Sequence, residues 1–575
     1  MIANKYDVIV IGGGLAGLRA AIAAQSEGAS VLIVSKLHPL RSHSGAAQGG
    51  VNASLANNPE GKDDSPEKHC FDTVKGSDYL ADQDAVAIMT SSAAETIYEL
   101  EHWGCPFSRT EDGRIAQRPF GGAGFPRTCY GADKTGLYML HTLYEEVLKR
   151  GIPIISDFFV SSLIVEGTTC YGIIGINMVT GQLETITSYS VIIATGGAGR
   201  IYGRSSNALT STAFGMALAY WTGVPLKDME FIQFHPTGII NKHILMTEGC
   251  RGEGGYLVNK NNERFMQKYA PSKMELAPRD IVSRSIATEI EGGRGFVATS
   301  DGSGYVHLDL RHLGAAKIME RLPGVRDICL DFLGIDMIKE PVPVQPVQHY
   351  TMGGIDTDVN GATIVKGLYA AGECACVSVH GANRLGGNSL LDTLVFGKRS
   401  GLVAAQYAVA NKHKPIGMSG VVQTLSKFHE SDLKRIAQSQ GQEKHIQIKR
   451  ELNELMDKYV GIFRTASDLK TAYEKIKSLQ DRFKHLRSAV TGLKFNYDIL
   501  VHLDLDANLD VAEAIILGAL KREESRGSHS RRDFPLRNDN DFLKHTLCYH
   551  RAKTAAEVEY RLVTITKYKP EERKY

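Results

Sequence analysis

Five short stretches carry the side chains best suited to chemistry. They are Phe234-His235-Pro236-Thr237, Thr247-Glu248-Gly249-Cys250-Arg251, Ala277-Pro278-Arg279-Asp280, His349-Tyr350-Thr351 and His380-Gly381-Ala382-Asn383-Arg384. A guanidinium offers planar, permanently charged donors that match a carboxylate, and imidazole and hydroxyl groups add single donors. Arg384 with His349 could hold one carboxylate, and His235 with the Thr247 hydroxyl another. The set suits a small dicarboxylate. Taken singly, each histidine also fits a structural place in a core, and Glu248 with Arg251 a plain ion pair. A sixth stretch, Arg41-Ser42-His43-Ser44-Gly45-Ala46-Ala47-Gln48-Gly49-Gly50, sets one histidine in a glycine-rich loop. Neutral imidazole is a good nucleophile near pH 7; a surface histidine is the bland alternative.

These residues need a frame. Residues 4–17 form an apolar strand running into G-x-G-x-x-G at Gly12, Gly14 and Gly17. A helix-compatible run follows to Ser26, then a second strand over 30–35. Glycines permit the tight turn, and the helix N-terminus offers unsatisfied N–H groups to a pyrophosphate, so Gly12, Gly13, Gly14, Leu15, Ala16 and Gly17 are nucleotide-binding candidates. About 20 residues past the glycines an acid usually meets the adenosine ribose. Here Ser35-Lys36 stands there, which argues against an ordinary NAD site. Ser190 to Gly197 reads as a buried strand closing on a glycine turn, which resembles the strand beside the nucleotide in flavoproteins and so implies Ala194, Thr195 and Gly196 as contacts; Gly367 to Glu373 repeats the pattern.

With 575 residues and 43% apolar content the chain supports several domains with large cores. Sixty-six basic against 64 acidic side chains give a net charge of +2, so no global field favours nucleic acid. The nine cysteines show no C-x-x-C or four-cysteine spacing, which suits neither zinc nor an iron–sulfur cluster; no metal site is expected. The first strand begins too close to Met1 to leave room for a targeting peptide, and no run approaches the 18 to 20 apolar residues of a membrane span. Residues 420–525 are rich in Lys and Glu with apolar residues at three- and four-residue spacing, which predicts a helical bundle.

The motifs quoted above, together with Gln117-Arg118-Pro119-Phe120-Gly121-Gly122, Leu385 to Leu390 and Glu524-Ser525-Arg526-Gly527, resemble in order and separation the succinate dehydrogenase/fumarate reductase flavoprotein subunits. The resemblance covers essentially the whole chain. It implies FAD bound covalently through His43, with Ser42, Ser44, Gln48, Gly49 and Gly50 around it and Ser35, Lys36, Glu373, Ser389 and Leu390 as further flavin contacts. It places proton transfer on Arg279, a relay on Glu248 and Arg251, and the closing aromatic on Phe120; substrate binding falls on His235, Thr247, His349 and Arg384. Arginine is an unusual acid/base, its pKa exceeding 12, and needs a concerted transfer with a relay to reset it.

The implied architecture is α/β. A Rossmann-like FAD-binding domain (1–234 and 346–412) holds an inserted α+β capping domain (235–345), followed by a helical bundle (413–525) and an irregular C-terminal region (526–575). An iron–sulfur subunit and membrane quinone-binding subunits are implied partners, since this chain lacks cluster ligands. The implied place is the cytoplasmic face of the cell membrane, reached through those partners. L-Aspartate oxidase or a soluble fumarate reductase of the same fold, and a non-catalytic flavin scaffold, are the alternatives. His43 argues against the first, the absence of extra haem or flavin domains against the second, and the joint presence of Arg279, Arg384, His235 and His349 against the third. One departure stands out: many relatives carry an aspartate before the Met-Ala helix, where this chain has Thr210-Ser211-Thr212-Ala213-Phe214.

Overall fold

The computed structural model describes residues 5–298, 302–413, 419–551 and 556–574. Strand β1 (Lys5–Ile11), helix α1 (Leu15–Ser26) and strand β2 (Val31–Val34) open the chain. β1 lies between β2 and the long strand Gln182–Ile193, parallel to both. Ile154–Ile155 extends the sheet beyond β2, and Leu368–Ala370 joins it from the distant second half. Two antiparallel strands, Phe158–Glu166 and Thr169–Asn177, complete it. Val8 to Val10 and Leu32 to Val34 are fully buried, as strands covered on both faces must be. The cover on one face is α1 and the helix Asn388–Asn411, which pack closely because Gly397 and Gly401 lie against Ala16 and Ala20.

A second sheet, centred on Ile232–Ile239, Val342–Thr351, Gly304–Asp309 and Tyr256–Val258, belongs to the expected insert and holds its own apolar cluster around Leu257, Val306, Leu308 and Val344. Helix Arg279–Glu291 packs on it, with the Ser283 hydroxyl donating to the Phe234 carbonyl at 2.7 Å. Helices Ser419–Ala437, His445–Tyr459, Ala466–Phe483 and Tyr497–Lys521 form the helical part; residues 414–418 of that stretch lie outside the described residues. The region after 525 is more ordered than the sequence pattern suggests. A hairpin of Lys544–Tyr549 and Glu557–Leu562 extends a sheet through Leu226–Lys227. Its strands are short and charged, and the sheet they extend lies more than 300 residues away in the chain, so the docking leaves no local signal. No helix among the described residues is long and apolar enough to cross a membrane.

Candidate active site

The turn from β1 into α1 is built so that no side chain intrudes. Gly12 has φ +114°, and a Cβ there would lie 2.2 Å from the Ala194 carbonyl oxygen. A Cβ on Gly17 would lie 2.0 Å from the Gly12 carbonyl oxygen, so Gly17 seats the helix against the strand. Beside this turn opens a cavity of about 630 Å³. Gly12, Gly13, Gly14, Leu15, Ala16, Ser35, Lys36, Ser42, His43, Ser44, Gln48, Ala194, Thr195, Gly196, Glu373, Ser389 and Leu390 all line it. Gly17, Gly49 and Gly50 do not. Gly49 instead offers its carbonyl to Arg118 Nε at 3.1 Å and passes against the Phe120 ring, while Gly50, at φ +133°, packs on Cys129.

The cavity fits a dinucleotide in its chemistry as well as its size. The α1 N-terminus faces it, and the buried Gln48 Oε1, Thr195 Oγ1 and Asn207 Oδ1 lack protein partners. Glu373 accepts the Thr351 N–H at 3.1 Å, yet burial pushes its carboxyl up to about 7. His43 is half-buried; burial, then Arg200, pushes it down to about 4, so its imidazole is neutral at pH 7. The Ala208 N–H donates to His43 Nδ1 at 3.3 Å.

Next to this cavity the candidate substrate residues gather. His349 lines the cavity, and its ring centroid is 5.0 Å from that of His235. Arg384 donates to the Ser389 hydroxyl at 3.1 Å and to Gln233 Oε1 at 3.0 Å; Arg279 donates to the same Gln233 oxygen at 3.2 Å. Arg279 Nε also donates to Glu248 Oε2 at 2.6 Å, and Arg251 stands 4.0 Å from that oxygen. Two guanidiniums thus share one carboxylate, with that of Arg384 beside them on Gln233, and positive charge is in excess. Burial would raise Glu248, but Arg279 and Arg251 outweigh it and hold its carboxyl below the usual range. Burial and then Arg279 lower Arg384 to about 9, a state that an incoming anion relieves.

Free donors confirm the anion-seeking character. The Thr237 N–H donates to His235 Nδ1, which puts the ring proton on Nε2, and that buried nitrogen has no partner. Arg384 Nε is likewise buried and unpaired. Thr247 caps the helix Glu248–Gly252 by accepting the Gly249 N–H at 3.2 Å, leaving its hydroxyl proton to donate. Phe120 is buried, its ring against Gly49 and Gly386. Sequence reasoning passed over Gln233, although it lies inside the His235 motif. Arg118, which holds the Gln48 and Gly49 carbonyls, was overlooked in the same way beside Phe120.

A Rossmann-like domain with this cavity and an arginine-lined recess beside it defines an FAD-dependent oxidoreductase. Comparison agrees and sharpens the class. The FAD binding domain family model matches residues 7–390, and the model for the fumarate reductase flavoprotein C-terminus matches residues 449–575. The fumarate reductase flavoprotein subunit of Mycobacterium tuberculosis is 45% identical, covering 99% of each chain. The succinate dehydrogenase flavoprotein subunit of Rickettsia bellii is 43% identical over 98% of this chain and 96% of its own. A mutant E. coli quinol fumarate reductase chain superposes with a TM-score of 0.94 at 41% identity, covering 99% of this chain and 98% of that one. The chain belongs to the succinate dehydrogenase/fumarate reductase flavoprotein family.

Proposed function

We propose that this chain interconverts succinate and fumarate on a flavin joined to His43, as the flavoprotein subunit of a succinate:quinone oxidoreductase. The convergence of Arg279 and Arg384 on one amide oxygen, Gln233 Oε1, beside the flavin cavity carries this reading. Two guanidiniums so placed, with His235, Thr247 and His349 around them, offer a dicarboxylate more donors than the protein itself consumes. Bound in the cavity, the flavin would supply the two-electron acceptor or donor. The chain's own task is to hold both carboxylates, exclude water and move one proton.

Arg279 is the catalytic residue for that proton. Its Nε is tied to Glu248, and N–H groups remain for the substrate. Glu248 passes charge toward Arg251, whose terminal nitrogen donates to the Glu275 carbonyl at 2.6 Å. The Glu275 carboxylate is separately gripped at both oxygens by Arg264, which fixes the segment whose carbonyl holds Arg251. Phe120 packs over the recess as a water-excluding wall. An iron–sulfur subunit would take the electrons onward, with membrane quinone-binding subunits placing the chain peripherally at the cytoplasmic face. Dithionite-reduced protein should be reoxidised by fumarate; failure to respond to fumarate would refute the assignment. In His43→Ser, flavin should still bind but leave the chain on acid denaturation. Fluorescence remaining with that denatured variant would move the attachment elsewhere.

A further inference from the structure

The end of β2 is where a G-x-G-x-x-G unit normally presents an acid to the adenosine ribose. Ser35-Lys36 occupies that place here, and both residues line the cavity. A carboxylate is nevertheless present. Asp504, from helix Tyr497–Lys521, also lines the cavity, with Oδ2 at 2.5 Å from Lys36 Nζ and Oδ1 accepting from the Thr212 hydroxyl at 2.7 Å. One bond to each oxygen leaves acceptor capacity on both. The neighbouring wall is aromatic, Phe159 and Phe214 lying 4.7 Å apart between ring centroids, which suits an adenine base.

The helix is fixed at this position from behind. Asn508, one turn on from Asp504, donates to the Thr212 carbonyl and accepts from Lys449, which also donates to the Arg200 carbonyl at 2.7 Å. The segment 200–212, part of which lines the cavity, is therefore clamped between two helices of the second half. We propose that Asp504 is the acceptor for the adenosine ribose of the flavin nucleotide, replacing the acid that the second strand lacks. A helix some 470 positions downstream thus completes the nucleotide site (sequence separation 468).

The competing explanation is a plain ion pair docking the helix on the flavin domain, and ligand selectivity separates the two. The full chain carrying His43→Ser, whose flavin is held without a covalent bond and can be stripped, provides apoprotein for titration with FAD, ADP and FMN. Should flavin survive denaturation in that background, the linkage to His43 is what fails, and riboflavin-starved expression supplies the apoprotein instead. Adding Asp504→Asn should weaken FAD and ADP alike by about 10- to 100-fold, the loss expected for a charged hydrogen bond. FMN, which has no adenosine half, should bind unchanged. Asn508→Ala, which loosens the same helix without touching the cavity, should show no such discrimination. Equal weakening of all three ligands, or no change in ADP, would overturn the proposal. If Asp504→Asn does not fold, Asp504→Glu and a comparison of ADP with 2′,3′-dideoxy-ADP on the parent chain decide instead. Indifference of the parent to the missing hydroxyls would equally overturn it.

Discussion

Arg279 sits at the first position of its helix, with Pro278 before it, so the backbone fixes where the guanidinium begins and Glu248 fixes where it ends. Arg279→Ala should lower turnover about 10²- to 10⁴-fold in both directions, the range for losing a positioned proton donor. The flavin should remain bound; release of flavin by this variant would mark Arg279 as structural. Arg279→Lys should not rescue, because an ammonium cannot hold Glu248, Gln233 and substrate from one plane. Glu373 makes a different prediction. Its folded carboxyl binds a proton more tightly than an unfolded one, because burial raises it from 4.5 to about 7. The flavin-free chain should therefore lose stability as pH rises through that window. Glu373→Gln should flatten the decline, and melting temperatures at pH 5 and 7 for both chains check it. These residues were legible because each lies in a contiguous motif. Gln233 and Arg118 lay in the same motifs but act by holding arginine side chains and loop carbonyls, roles that spacing does not reveal.

Among the elements, the β1–α1 turn is the least tolerant. Gly12→Ala adds a Cβ into the Ala194 carbonyl at a φ that L residues rarely adopt, which should cost about 1–3 kcal/mol or more and empty the nucleotide site. Flavin content and thermal melting measure both effects. A variant that kept full flavin and the parental melting temperature would contradict this account. The parallel strands, α1 and the long helices were readable because continuous apolar runs and 3.6-residue periodicity are local signals. The C-terminal hairpin was not. Its strands carry Lys544, His545, Glu557, Glu559 and Arg561, and beyond their pairing with each other they dock on Leu226–Lys227, far away in the chain. Asp504 was hidden for a related reason, since nothing in a helical Leu-Asp-Leu-Asp repeat points toward Lys36 or Thr212.

Across the whole molecule, the chain's end is locked to its beginning by buried charge. His545 lies between Asp228, at 2.7 Å, and Asp82, at 3.2 Å. Burial would lower its pKa, but the two carboxylates outweigh that and raise it to about 9. The stabilisation from this charged contact is full below the ordinary value of 6.5 and is lost as pH rises toward 9. The gap in melting temperature between the parent and His545→Gln should thus be wide at pH 6 and narrow at pH 9. A gap that widened with pH would refute the charged lock. The pairing of Leu226–Lys227 with Lys544–Tyr549 also has a meaning for biosynthesis. A ribosome adds about 5–20 residues per second, so this sheet edge stays bare on the order of tens of seconds before its partner exists. Throughout that interval the nascent chain displays an open template for wrong pairing. This part of the fold can therefore close only after almost the whole chain has been made.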